Sequence, residues 1–245
     1  APDIERAVID EERGWYYYYA SPEDATQKYL YRVALDGTGQ SERVTPENQV
    51  GTHHYVFSPD ATWAVHTYST LDTPPLHDRV EVEAHRSVRS LEDNRDIRER
   101  MKSVISRPTE FLKLDIGNGV VLDAWMIKPP EFDPSKKYPL FIYVYGEPHA
   151  QTVLNEWGAA QFDFHRLVAE MGYVVVSIDN RGTPAPKGAA WRRAIFGSLG
   201  PLSTVEQDAG LQALAKQCPF VDSSRGGIWG WSGGGQMTLN CMFRH

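Results

Sequence analysis

The chain has 245 residues, 41% hydrophobic and 23% charged, with 25 Lys and Arg against 32 Asp and Glu, a formal net charge of −7. Its length and its 11% aromatic content, seven Trp among them, allow one large domain or two smaller ones with a packed core and exclude a disordered chain. Mild acidity without a basic, aromatic-interleaved run excludes nucleic acid as the expected partner, and no stretch approaches the ~20 consecutive apolar residues of a membrane span.

The opening APDIERAVID has neither the basic nor the apolar region of a signal peptide, and it starts at Ala1 rather than Met. The expectation is that upstream sequence was removed or that the chain is a piece of a longer polypeptide, with any address outside it. Strands are then predicted over residues 15–20 (WYYYYA), 27–35, 55–57, 63–69 and 78–88, each rich in aromatic and β-branched residues and bounded by turns such as SPED, LDGTG and SPDA. The apolar–polar alternation of residues 29–33 fits a half-buried antiparallel strand. Ser21-Pro22 and Ser58-Pro59 recur 58 − 21 = 37 positions apart, a spacing of propeller-blade length. His53-His54 is read as a core or surface pair rather than a metal site.

Residues 89–105 (RSLEDNRDIRERMKSVI) change texture to a charged helix, closed by Arg107-Pro108, and a domain boundary is placed there, between residues 1–105 and 106–245. Strands are predicted over 110–116, 120–127, 139–145, 173–178 and 228–231, with helices over 162–171 and 205–217. Runs that are apolar on both faces, separated by helices, predict an α/β fold with a mostly parallel sheet covered on both sides. Cys218 and Cys241 form no disulfide framework and no metal spacing, so both are expected to pack as small apolar side chains.

Gly230-Trp231-Ser232-Gly233-Gly234 matches G-x-S-x-G, after a predicted strand and before a helical pattern from Gln236. The flanking glycines allow a sharp strand-to-helix turn that lifts the Ser232 hydroxyl above the carboxyl end of the sheet, so Ser232 is the candidate nucleophile. The following helix N-terminus would favour an oxyanion formed there.

With Tyr55-Val56-Phe57-Ser58-Pro59-Asp60, His66-Thr67-Tyr68-Ser69, Tyr143-Val144-Tyr145-Gly146-Glu147-Pro148-His149 and Asp179-Asn180-Arg181-Gly182, the elbow resembles the prolyl oligopeptidase family of serine peptidases, in its dipeptidyl peptidase IV-like branch. The resemblance implies that residues 1–105 are the closing antiparallel blades of an eight-bladed β-propeller with a linker helix. It implies that 106–245 are the N-terminal half of an α/β-hydrolase domain. It further implies Ser232 as nucleophile, the Tyr145 phenol and the Gly233 N–H as oxyanion donors, no cofactor or metal, peptide substrates cut to release Xaa-Pro or Xaa-Ala dipeptides, an extracytoplasmic location and a homodimer of the full-length protein. Glu147 departs from the family, which has Gly or another small residue before the Pro. Asp179-Asn180-Arg181-Gly182 is read as a hydrogen-bonded structural turn.

A serine hydrolase of this fold takes its partners in the order Ser, Asp or Glu, His. Residues 233–245 contain no acid, and their one histidine, His245, would lie roughly 20 Å from Ser232 along a helix. The paired-glutamate motif that in the family anchors the substrate amino group is not recognisable here, since Glu11-Glu12 lacks its surroundings. The chain is therefore read as an internal fragment of a larger peptidase, inactive alone and prone to aggregate. An acylaminoacyl peptidase or oligopeptidase of the same family, or a non-catalytic binding module if the chain is complete, remain the other readings.

Overall fold

The computed structural model describes residues 3–105, 107–158 and 161–244, and its described residues form two compact units. The first runs to Lys102 and includes Leu154–Trp157. In it, β1 (Ala7–Asp10), β2 (Trp15–Ala20), β3 (Tyr29–Ala34) and β4 (Glu42–Arg43) form one antiparallel sheet in chain order. A second sheet of the same order holds β5 (Thr52–Phe57), β6 (Trp63–Thr70), β7 (Thr73–Glu81) and β8 (Arg86–Glu92). The aromatic, turn-punctuated sequence predicts five strands here in meander order, and neighbouring strands joined by short turns do pair antiparallel; β1 and β4, too short to show a pattern, are not among those predicted. The inward face of one sheet, Tyr17, Tyr19 and Leu30, joins Tyr55, Ala64 and Val80 of the other, and Val82 of the turn after β7, in one core. The Tyr19 hydroxyl donates to the Tyr55 carbonyl (3.2 Å) and accepts from the Tyr55 N–H (2.7 Å), so neither buried phenol nor peptide is left unpaired. Asn155 seals this unit: its N–H donates to Thr26, its carbonyl accepts from Thr52 and its side-chain oxygen from the Leu71 N–H.

Two expectations fail here. The single strand over 78–88 is a hairpin, β7 turning into β8 at residues 82–85, where His85 takes a left-handed φ of 45° and hands its ring to the Tyr55 hydroxyl (2.6 Å). The helix expected from residue 89 starts only at Arg95, as α1 (Arg95–Val104), because 89–92 still pair with β7. Every residue of β8 is exposed, so as an edge strand it carries no apolar pattern by which a sequence could reveal it. The predicted boundary at 105/106 abuts Ser106, which lies outside the described residues.

The second unit is built on a five-stranded sheet of order β13-β11-β12-β10-β9. Its strands are β9 (Glu110–Asp115), β10 (Val121–Ile127), β11 (Tyr138–Tyr143), β12 (Val174–Asp179) and β13 (Val221–Trp229); its helices are α2 (Phe162–Glu170), α3 (Ala189–Arg193), α4 (Pro201–Gln217) and α5 (Gly233–Arg244). The sheet is mixed rather than mostly parallel. β11 runs parallel to β12 and β13, whereas β10 is antiparallel to both β9 and β12. Apolar runs buried on both faces mark a covered strand but not its direction, and the short 116–120 turn between β9 and β10 permits only a hairpin. β12 (VVVSID) is buried throughout, as a central strand should be. α4 lies close over it at Gly210, where a Cβ would stand 3.2 Å from Ile178 and 3.3 Å from Leu122. β13 starts earlier than predicted and ends at Trp229, and Trp231, expected in the strand, is 75% exposed.

Candidate active site

The site grows from the point where the β11–β13 ladder runs out. The Val144 N–H still donates to the Trp229 carbonyl (3.0 Å), and then both strands end side by side. The chain turns through Gly230, Trp231 and Ser232 into α5, and Ser232 takes φ 55°, in the left-handed region that costs a non-glycine residue roughly 1–2 kcal/mol. The turn is held by Gly234 N–H to Trp231 O (2.9 Å) and Gly235 N–H to Ser232 O (2.9 Å). It has no room for side chains at two positions: a Cβ on Gly230 or on Gly234 would collide with the Val144 carbonyl oxygen. Strain at one residue, enforced by its neighbours, is how a fold keeps a reactive side chain projected.

Gly234→Ala is therefore expected to destabilise the protein by about 3 kcal/mol, the upper end of overpacking, because the obstacle is backbone that cannot swing aside. Gly235→Ala, whose new Cβ meets only Gly230 O at 3.5 Å, is the control and should leave the melting temperature unchanged or higher. Thermal melts of the two variants against the parent check this; equal melting temperatures for both would contradict it.

All three predicted site residues come together here. Ser232 is exposed at the turn, Gly233 opens α5, and the Tyr145 Cα lies 3.3 Å from where a Cβ on Gly234 would stand. Among the described residues the Gly233 N–H has no acceptor, as the first donor of a helix has none within it. Tyr145 is half-buried, its ring 6.3 Å from that of His149.

Sequence reasoning did not foresee what holds Tyr145 there. The next carbonyl, Gly146 O, accepts from Asn180 Nδ2 (3.1 Å) and Ser203 Oγ (2.9 Å), and Gln207 Nε2 donates to both Asn180 Oδ1 (2.9 Å) and Ile178 O (2.7 Å). Gly146 itself sits at φ 74°, and a Cβ there would stand 3.0 Å from Asn180 Oδ1 and 3.1 Å from Met237. The only sequence signal for this bracket is the position of Asn180 just past an apolar strand.

Asp179 is not a free acid. Fully buried, it accepts from Thr152 N–H (3.1 Å), Thr152 Oγ1 (2.9 Å) and Val153 N–H (2.9 Å), while burial pushes its pKa up to about 6. Arg181 pairs with Glu206. Asp179 ties the loop at Thr152 and Val153 to the sheet, and Arg181 ties the turn after β12 to α4. His245 lies outside the described residues. Among those described, no group of three His, Cys, Asp or Glu is arranged to hold a metal, and no helix is long and apolar enough to cross a membrane.

Comparison with known proteins places both units. The model of the prolyl oligopeptidase family matches residues 160–245, and that of the dipeptidyl peptidase IV N-terminal region matches residues 4–75. Among curated proteins, the "Probable dipeptidyl-aminopeptidase B" of Emericella nidulans is 35% identical over 237 residues, covering 96% of this chain and 25% of its own length. The dipeptidyl-aminopeptidase B of Aspergillus niger is 32% identical over 237 residues, with 96% and 26% covered. The crystal structure of Porphyromonas gingivalis dipeptidyl peptidase 4 superposes with a TM-score of 0.89 at 33% identity, covering 99% of this chain and 33% of that one. The chain thus spans about a quarter of the length of the curated relatives it matches.

Proposed function

With the chain belonging to the prolyl oligopeptidase family, we propose that it carries the nucleophile and oxyanion donors of a serine peptidase that releases N-terminal dipeptides after Pro or Ala. Residues 1–105 are then the closing blades of the propeller and 106–245 the first half of the hydrolase domain. The observation that carries the reading is the elbow: Ser232 held left-handed between β13 and α5, beside an unpaired Gly233 N–H and the backbone of Tyr145.

The chemistry follows from that arrangement. Ser232 Oγ attacks the carbonyl carbon of the second substrate residue and passes its proton to a histidine base. The carbonyl oxygen becomes an oxyanion, stabilised by the Tyr145 hydroxyl and the Gly233 N–H as donors where the charge develops. Collapse breaks the C–N bond, the base returns its proton to the leaving amine, and water then hydrolyses the dipeptidyl ester on Ser232. Residues 233–244 hold neither His nor an acid, and no described residue is assigned as the base or its carboxylate. The protein works without metal or cofactor, outside the cytoplasm and as a homodimer.

The test uses the natural polypeptide that contains this sequence, with Gly-Pro-anilide and its N-acetylated form. A dipeptide-releasing enzyme needs the free amino group, so acetylation should abolish turnover. Turnover that requires the acetyl group would assign an acylaminoacyl peptidase instead, and indifference to it an oligopeptidase.

A further inference from the structure

Glu147 is a carboxylate placed beside the first residue of α5, at the end of the site where the two proposed oxyanion donors lie. Its Cδ lies 2.6 Å from where a Cβ on Gly233 would stand, and its Oε2 lies closer still, so the acid rests against the first residue of α5. The side chain is half-buried, and no cation or hydrogen-bond donor among the described residues is paired with it. Tyr145, two residues before it, and Gly233, which it touches, are the two proposed oxyanion donors. A carboxylate beside both opposes the negative charge that develops between them, unless something positive arrives with the substrate.

We infer that Glu147 is a specificity-determining residue that selects peptides with a cationic side chain on the first residue of the leaving fragment. This rests on the reading of Ser232 as nucleophile. The assignment to the leaving side follows from the proposed reaction: the residue on the acyl side of the bond is Pro or Ala and carries no charge. The N-terminal ammonium is common to every substrate and discriminates none, so the charge that differs between substrates next to the bond is that of the side chain that departs with the amine. A lysine or arginine there neutralises Glu147 as the oxyanion forms. A neutral side chain leaves the repulsion in place, and an acidic one adds to it. Glu147 contributes by position and charge and takes no part in bond making.

The experiment measures kcat/KM of the natural polypeptide for Gly-Pro-Lys, Gly-Pro-norleucine and Gly-Pro-Glu amides, norleucine matching lysine in length without its charge. The parent should prefer lysine to norleucine about tenfold and norleucine to glutamate by a similar factor, with both ratios shrinking at about 0.5 M salt. In Glu147→Gln, of the same shape, and in Glu147→Gly, the ratios should fall to within about twofold, with the norleucine substrate turned over faster than by the parent. Equal ratios in parent and variants, or no preference in the parent, would overturn the inference. Ser232→Ala, measured alongside, separates the two claims: activity surviving that change overturns the nucleophile, while activity lost with unaltered ratios in the Glu147 variants overturns only the role of Glu147.

Discussion

Ser232→Ala should abolish peptide hydrolysis by the natural polypeptide, by on the order of 10⁵- to 10⁶-fold in kcat, the loss expected when the nucleophile of a serine hydrolase is removed. The hydroxyl is the one atom whose removal takes away bond formation while leaving the elbow intact. Residue 232 keeps its left-handed φ in alanine, and the turn is held by backbone hydrogen bonds at Trp231 and Ser232 that the substitution does not touch. Activity should therefore vanish with the melting temperature essentially unchanged. Ser232→Gly separates catalysis from strain more sharply. It should be as inactive yet more stable, by up to about 1 kcal/mol, because glycine adopts φ 55° without the Cβ clash that serine pays. A fluorophosphonate adduct on the Ser232 peptide, found by mass spectrometry and missing in both variants, would identify the oxygen directly. Turnover retained by Ser232→Ala would end the peptidase reading of this elbow.

Acid should unfold the first unit well before it protonates ordinary carboxylates in the second. His53 and His66 are buried edge to edge, ring planes nearly parallel and centroids 5.1 Å apart, and burial lowers their pKa values to about 3 and about 4, with His85 and Arg43 adding like charge nearby. His66 Nδ1–H donates to Asp78 (2.9 Å), and His66 Nε2 accepts from His53 Nδ1–H (2.8 Å). His53 Nε2 faces the Gln49 carbonyl at 3.0 Å, a contact that a second proton on His53 would turn into a hydrogen bond. That bond is worth about 1 kcal/mol, whereas charging a buried ring costs several, so both rings stay neutral at pH 7.

Because the folded pKa values lie below the unfolded 6.5, the stability these rings contribute is fully present above pH 6.5 and is lost as pH falls toward 4. Each ring costs about 1.4 kcal/mol per pH unit in that window, so by pH 4.5 the loss reaches several kcal/mol, comparable to the stability of a domain. Urea unfolding at pH 7 and pH 4.5, followed through the tyrosine-rich unit, measures it. His66→Gln can still donate to Asp78 and accept from His53 but cannot be charged, and should flatten the acid limb. Imidazole titration by NMR with midpoints near 6.5 would contradict the account.

The elbow was more legible in this sequence than the topology around it. The elbow could be found because G-x-S-x-G after an apolar strand leaves few backbone solutions, and Ser232 does sit at φ 55° between β13 and α5. Tyr145 and Gly233 could be placed only through a resemblance; nothing in the local pattern of residues 143–149 says that this loop ends against α5. Strand existence was readable in WYYYYA and YVVVSI, where side chains must be buried. It was hidden in β8, whose residues are all exposed, and in the 82–85 turn, which contains no glycine and is made by a histidine in the left-handed region.

Residue chemistry and spacing along the chain are local, and they were enough to determine antiparallel strands in the first unit, a sheet with helices in the second and the strand-to-helix turn at Ser232. The direction of β10, the Asn180–Gln207 bracket under Gly146, the imidazole pair over Asp78 and the contact of Glu147 with Gly233 are pairings between residues 12 to more than 80 positions apart. Only the tertiary structure decides these, because each follows from which strands the sheet sets side by side. One sequence pattern is compatible with several such neighbours until packing selects among them.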